Sequence, residues 1–295
     1  MKELVVNWHV TEACNFKCNY CFAKWDRNRK IDLFRNPELV RKLLDELCLL
    51  RNLFQGEFSY LRLNLVGGET FLYKKDILNV IQEAKERGIR LSVVTNGSKL
   101  DDELLQVIAK NVDTIGFSVD SVNEQTNLSI GRKEKDQAMN IDNLKVNIST
   151  LRSLNPDIKI KINTVVSKLN YKEFMGDFID HIKPNKWKIF QMLPMSKKSQ
   201  FLKVTEFEFK NFIENHKKYK KIIYAENNEK MKGSYLMIDP SGRFFQNGEI
   251  DQEYVYSNPI HDVGYKQAFS EIPFGKEKFL SRYTQDKANL KNKRS

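Results

Sequence analysis

The sequence predicts an α/β fold, a partial (βα)6 barrel of the TIM type with a C-terminal extension. Short apolar runs alternate with amphipathic helical patterns from the N-terminus to about residue 195. Six such units in series imply a parallel sheet, because each strand returns to its neighbour through a helix. A complete eight-unit barrel takes ~250 residues. Six units by residue 195 of 295 therefore leave the barrel short, with about a hundred residues over. The expected division is a barrel over 1–195 and an extension over 196–295.

The candidate strands, in order, are Leu4–Val10, Leu61–Val66, Arg90–Thr95, Thr114–Val119, Ile158–Val166 and Lys186–Met192. Helical patterns separate them near 37–54, 74–87, 101–110, 138–154 and 171–183. Asn36 stands as N-cap of the first helix with Pro37 at its first position, and Gly88 closes the second. Beyond the barrel come a helix over 206–219, a hairpin-like pair around Asp239-Pro240-Ser241-Gly242, and a basic tail ending Lys291-Asn292-Lys293-Arg294-Ser295.

Composition narrows the function. With 41% hydrophobic and 29% charged residues the chain is globular in type. No window approaches the ~18 uncharged apolar residues of a membrane helix, and the apolar run Leu4-Val5-Val6 is too short for a signal peptide. A soluble, cytoplasmic chain is expected. Forty-nine basic residues against 38 acidic ones leave +11, which favours an anionic partner without choosing among nucleic acid, a phosphorylated metabolite and a membrane surface.

Of four cysteines, Cys48 lies in a helical pattern and reads as a small buried hydrophobe. The other three, Cys14, Cys18 and Cys21, are spaced C-x3-C-x2-C in the loop after the first strand. A structural zinc site wants four ligands, and His9, which could be the fourth, lies in the strand pattern. An iron–sulfur cluster fits better, because three cysteines on a four-iron cluster leave one iron open, and an open position marks a catalytic site. No cysteine follows Cys48, which excludes a cysteine-ligated second cluster.

The fifth and sixth strands carry a second signal. Alternation puts Ile158, Ile160 and Ile162 on one face and Lys159, Lys161 and Asn163 on the other. In the next strand Lys186, Lys188 and Phe190 oppose Trp187, Ile189 and Gln191. If the apolar faces pack against the helices, four lysines point into the barrel. Like charges there are costly unless an anion meets them, and a polyphosphate suits such a cluster. The alternative is a polar edge strand with solvated lysines.

The run Cys14-Asn15-Phe16-Lys17-Cys18-Asn19-Tyr20-Cys21 resembles the signature of radical S-adenosylmethionine (SAM) enzymes. Gly67-Gly68-Glu69 after the second strand and Asn96-Gly97 after the third extend the likeness. Each lies at the C-terminal end of a successive strand, where barrels carry their sites. Asn7-Trp8-His9-Val10-Thr11-Glu12-Ala13-Cys14, with Phe22 after the triplet, is similar to the opening motif of the viperins. Ser118-Val119-Asp120-Ser121, Ile130-Gly131-Arg132, Lys161-Ile162-Asn163, Trp187-Lys188-Ile189-Phe190-Gln191 and Met231-Lys232-Gly233-Ser234-Tyr235-Leu236 follow the same family.

That resemblance implies a [4Fe–4S] cluster on Cys14, Cys18 and Cys21, whose open iron binds SAM and whose electron cleaves it to a 5′-deoxyadenosyl radical. It implies that Gly67, Gly68 and Glu69 meet the SAM amino group, that Asn96 lies near its ribose, that Ser118 and Arg132 hold its carboxylate, and that Phe22 belongs to the same site. The implied reaction removes the 3′-hydroxyl of a ribonucleoside triphosphate, giving a 3′-deoxy-3′,4′-didehydro nucleotide, a chain-terminating antiviral product. Asn7, His9, Lys161, Asn163, Lys186, Lys188 and Tyr235 match substrate positions. Tyr235 is the implied proton donor to the departing hydroxyl, with Lys161 beside it in the catalytic set. A phenol near pKa 10 is suited to that task. Lys186 stands where the animal proteins have Arg, which keeps the charge and loses the bidentate fork.

The implied partners are CTP, UTP or GTP and an external electron donor, with no stable nucleic-acid complex, no membrane, and a monomeric state. The animal proteins' N-terminal amphipathic helix and terminal Trp have no match here, as expected of a cytosolic relative. The segment from Tyr283 to Lys291 resembles a tail that orders over bound nucleotide, which predicts a lid. Two rival readings are another single-cluster radical SAM enzyme acting on a phosphorylated substrate and a zinc-stabilised nucleic-acid-binding protein. The second leaves the Gly-Gly-Glu segment and the six-unit architecture unexplained.

Overall fold

A computed structural model describes residues 2–21, 32–194, 197–231, 233, 235–246 and 254–280. The chain opens with strand β1 (Glu3–His9), helix α1 (Pro37–Leu49), β2 (Tyr60–Val66), α2 (Lys74–Glu86), β3 (Arg90–Thr95) and α3 (Asp102–Asn111). Next come β4 (Thr114–Ser118), α4 (Glu124–Ile130), the short pair β5 (Lys133–Glu134) and β6 (Gln137–Ala138), and α5 (Ile141–Leu154). β7 (Lys159–Val166), α6 (Gly176–Ile182), β8 (Lys186–Gln191), α7 (Glu206–Asn215) and β9 (Ile223–Glu226) follow. The last elements are α8 (Asn228–Met231), β10 (Leu236–Ile238), β11 (Arg243–Gln246), β12 (Val255–Pro259), α9 (Ile260–Val263) and α10 (Tyr265–Ser270).

All six expected strands are present, each within one residue of its expected ends. The Asn36 side chain accepts from the amides of Glu38 and Leu39 and starts α1. Gly88 adopts φ +66° just past α2, a conformation closed to most side chains. The helix expected over 37–54 divides, with α1 ending at Leu49 and a 3-10 turn running Leu50–Phe54. That expected over 171–183 is shorter, Gly176–Ile182. Helix α4 was not expected. Its caps, Asn123 and the left-handed Gly131, are legible in the sequence, but seven residues give an apolar period too little length to register.

The chain forms two compact units, one from Met1–Ala13, Trp25–Val93 and Met231–Ser295, the other from Cys14–Lys24 and Val94–Lys230. In the first, β1 lies between β2 and β10, parallel to both, with Val6 opposite Leu63 and Leu236. The expected hairpin joins β10 antiparallel to β11, and β12 pairs onto β11. Alternation buries Leu4, Val6 and Trp8 of β1 completely and turns Val5, Asn7 and His9 to the opposite face.

In the second unit β7 pairs parallel with β4 and β8, and β9, which the sequence pattern did not suggest, adds in parallel to β8. Ile160, Ile162, Trp187 and Ile189 are fully buried on one face. Trp187 stands edge-on to His216, ring centroids 4.9 Å apart, and donates its indole N–H to Thr164. Among the described residues no helix is long and apolar enough to cross a membrane.

Candidate active site

In the first unit the C-terminal ends of β1 and β2 run on together. The Gly68 amide donates to the Thr11 carbonyl at 2.7 Å, and the Glu69 amide donates to the Ala13 carbonyl at 2.9 Å. A side chain on Gly67 would put its Cβ 2.4 Å from the Thr11 oxygen, and one on Gly68 would come 2.0 Å from the Ala13 oxygen. Both glycines are therefore required for backbone to lie on backbone, and they fix the residue that immediately precedes Cys14. Glu69 is fully buried, and its carboxylate caps the Phe71 amide.

The inner row of this unit is polar. Asn7, Asn64 and Ser92 face one another across β1, β2 and β3. Ser92 donates to Asn64, Asn64 to Asn7, and Asn7 to the Leu236 carbonyl, which fixes the orientation of the Asn7 amide. His9 is buried edge-on to Phe245, and loss of solvent depresses its pKa to about 3, so the ring is neutral. Tyr235 is half-buried, two residues before the Met237 that pairs with Asn7. Strand alternation places it on the Asn7 face, opposite Leu236 and Ile238.

In the second unit Cys14, Cys18 and Cys21 lie on one loop, none of them in a disulfide. The amides of Lys17 and Asn19 donate to the carbonyls of Gly131 and Ile130, and a Cβ at Gly131 would sit 2.4 Å from the Lys17 oxygen. Cys14 Sγ accepts from the Phe16 amide at 3.4 Å and from Asn96 at 3.9 Å. Asn96 also donates to Asn15, which in turn donates to Ser98 and Glu134. Burial pushes the Cys18 thiol up to about 12, partly opposed by the positive charge of Arg132.

The donor set fits an iron–sulfur cluster. It offers three thiols, N–H donors to a ligand sulfur and a neighbouring guanidinium to offset thiolate charge. No three His, Cys, Asp or Glu side chains among the described residues already stand at metal-coordinating distance, so the donor chemistry carries the fit. Phe22 lies outside the described residues, as does the segment 283–291 expected to form a lid.

Behind this loop Asp120 is fully buried at the end of β4. One carboxylate oxygen accepts from the Val165 amide at 2.7 Å; the other accepts from the Tyr20 hydroxyl and from Nε of Arg132. Burial works against the Arg132 charge, but Asp120, with Cys18 and Cys21, more than offsets this and raises its pKa. Sequence reasoning placed Arg132 and Ser118 in the site and gave Asp120 no role. The available signal was an acid two residues past a strand end.

The lysine rows lie on β7 and β8. Register pairs Lys161 with Lys186 and Asn163 with Lys188, and sets Gly116 and Ser118 of β4 beside Lys161 and Asn163. A Cβ at Gly116 would come 2.7 Å from Lys161 Cε, so the glycine is where that side chain lies. Lys188 is buried and bonds Glu226 at 2.6 Å, and Lys186 Nζ sits 3.7 Å over the Tyr224 ring. Among the described residues the buried Oδ1 of Asn163 has no hydrogen-bond partner. One expectation is corrected. Lys159 is exposed, because it opens β7 at its N-terminal end, so three lysines rather than four occupy the inner rows.

A cysteine loop after the first parallel strand, with glycines seating the next strand end against the residues that precede that loop, is an arrangement that fits a radical SAM protein. The Radical SAM superfamily model matches residues 8–179. The chain superposes on the structure titled "Native anSMEcpe with bound AdoMet" with a TM-score of 0.66 at 13% identity, covering 91% of this chain and 80% of that one. It also matches a structure titled as HemN from Escherichia coli, a radical SAM enzyme, with a TM-score of 0.53 at 12% identity over 74% and 52% of the two chains. These likenesses assign the α/β, partial TIM-type barrel class.

Within the superfamily the chain belongs to the S-adenosylmethionine-dependent nucleotide dehydratases. It is 48% identical to one from Psychrobacter lutiphocae over 98% of this chain and 97% of that one. It is 39% identical to one from a Fibrobacter strain over 96% and 89%, and 30% identical to the RSAD2 dehydratase of the fish Siniperca chuatsi over 99% and 82%.

Proposed function

We propose that this radical SAM enzyme dehydrates a ribonucleoside triphosphate, removing the 3′-hydroxyl to leave a 3′-deoxy-3′,4′-didehydro nucleotide. SAM-dependent nucleotide dehydration is the activity of its family. The observation that carries the finer reading is the pairing of Lys161 with Lys186 and of Asn163 with Lys188 on one face of adjacent parallel strands. Cations brought together at partial burial are stabilised by a polyanion, and a triphosphate offers the charge and the oxygens.

When bound on Cys14, Cys18 and Cys21, a [4Fe–4S] cluster with SAM supplies the radical that starts the chemistry. The protein's own residues do the rest. Lys161, Lys186 and Lys188 bind phosphate oxygens, and Asn163 fills its unused acceptor with a substrate donor. Asn7, with its amide orientation set by Asn64 and the Leu236 carbonyl, donates to the nucleotide. His9, held neutral, contributes no charge against the departing oxygen. Tyr235 delivers the proton that lets the 3′-oxygen leave as water, and an external donor provides the further electron. Cysteines kept out of disulfides suit a reducing cytoplasm, where we place a monomeric enzyme.

The test is anaerobic reconstitution with SAM, a reductant and a panel of CTP, UTP, GTP and ATP, read by mass spectrometry. A nucleotide lighter by one water, formed with 5′-deoxyadenosine and lost in Cys18→Ala, is the expected result. Deoxyadenosine without any dehydrated nucleoside triphosphate, at full cluster loading, would remove the triphosphate reading.

A further inference from the structure

The Asp120 hub lies wholly in the second unit and gathers groups from four stretches of chain. Its carboxylate takes the Tyr20 hydroxyl from the cysteine loop, Nε of Arg132 from the turn after α4, and the Val165 amide from β7. Its own carbonyl accepts from Asn170 at 2.7 Å. Both carboxylate oxygens are therefore committed, and the group is inaccessible to solvent.

Arg132 is the informative partner. Its side chain is 9% exposed, and Asp120 holds it through Nε alone. Among the described residues no protein acceptor takes its two Nη groups. A guanidinium tethered at Nε with an unused planar fork is prepared for a second, bidentate carboxylate. The same Asp120 oxygen that holds Arg132 also holds Tyr20, which sits between Cys18 and Cys21. A displacement of either group is thus felt by the other through one rigid acceptor.

We propose that Asp120 is the positioning residue of the SAM carboxylate site, aiming the free fork of Arg132 and locking the cysteine loop to it through Tyr20. The proposal rests on the family reading in which Arg132 meets SAM, and it assigns a role to a residue that touches neither SAM nor nucleotide. A carboxylate is needed there because only an acceptor with two charged oxygens satisfies three donors while neutralising a buried guanidinium.

The experiment titrates SAM into reconstituted, reduced holoenzyme and follows the change it causes in the cluster EPR spectrum. Separate KM values for SAM and for nucleoside triphosphate complete the set. Asp120→Asn should keep the wild-type iron content, weaken the SAM titration by about 10- to 100-fold, and raise KM for SAM while leaving KM for nucleotide within about twofold. Tyr20→Phe, which removes one hydroxyl, should weaken the SAM titration by a few-fold and alter the line shape of the reduced cluster. A wild-type SAM titration in Asp120→Asn, or an equal rise in both KM values, would overturn the assignment. If Asp120→Asn does not accumulate as folded protein, Tyr20→Phe decides, and an unchanged titration and spectrum then count against the hub. Because the titration needs no nucleotide, wild-type enzyme that binds SAM yet dehydrates no nucleotide would sink the proposed reaction and leave this test standing.

Discussion

Asp120 and the lysine rows of β7 and β8 lie in the same unit and treat buried charge in opposite ways. At Asp120 the balance is closed within the protein, with one carboxylate, one guanidinium and two further donors. On the inner rows of β7 and β8 Lys161, Lys186 and Lys188 stand side by side, and the Glu226 carboxylate of β9 bonds Lys188. A closed balance makes a part that is rigid before any ligand arrives. An open side, a row in which like charges are gathered, makes a part that an anion would stabilise. In the proposed function this difference would separate the side that orients a cofactor from the side that captures a substrate.

The largest expected effect tests the closed side. Asp120→Ala leaves a buried guanidinium without its partner and should lower the unfolding free energy by about 3–5 kcal/mol, read by denaturant titration. A loss below about 1 kcal/mol would mean that water replaces the carboxylate and that the balance is not closed.

The open side should respond in binding rather than in folding. Lys161→Ala removes one cation from a row proposed to meet the triphosphate. Nucleoside triphosphate should bind about 10- to 100-fold more weakly by calorimetry, with stability changed by less than about 1 kcal/mol. If stability falls and affinity does not, the rows are structural.

Glu226→Gln sharpens the contrast, because the same kind of change has the opposite sign at Asp120. Removing this carboxylate raises the local positive potential, so triphosphate should bind tighter by about two- to fivefold, with the gain screened away at high salt. Weaker binding would show that Glu226 serves chiefly to hold Lys188 in place.

The smallest effect comes from a buried group kept neutral. His9 has a folded pKa of about 3, below its unfolded value, so the unfolded chain binds the extra proton between the two. The stability this confers is complete above about pH 6.5 and is lost as pH falls toward 3; a drop from pH 7 to 5.5 should cost about 1 kcal/mol. His216, also depressed by burial, acts in the same direction. The measurement is the difference in unfolding free energy between wild type and His9→Asn at both values. A difference independent of pH would mean that His9 is charged or exposed.

Much of the site was legible because its signals are local. Cys14, Cys18 and Cys21 fall within eight residues, Gly67-Gly68-Glu69 follows its strand directly, and alternation assigned faces to Lys161, Asn163, Lys186 and Lys188. Alternation failed at Lys159 because it reports the face and not the height along the strand. The end of β7 leaves that side chain in water.

By itself the sequence determined the six parallel strands, the caps at Asn36 and Gly88, the metal-binding chemistry of the cysteine loop and the sign of the charge on the inner rows. These depend on periods of two and 3.6 residues and on donor types, which a short window contains. Only the tertiary structure decided that β10 returns to lie beside β1, that β9 joins β8, and that Asp120 meets Tyr20 across 100 residues of chain and Arg132 across 12. Such pairings follow from strand register and from the burial that forces a charge to find its partner. Neither quantity exists until the chain has closed on itself.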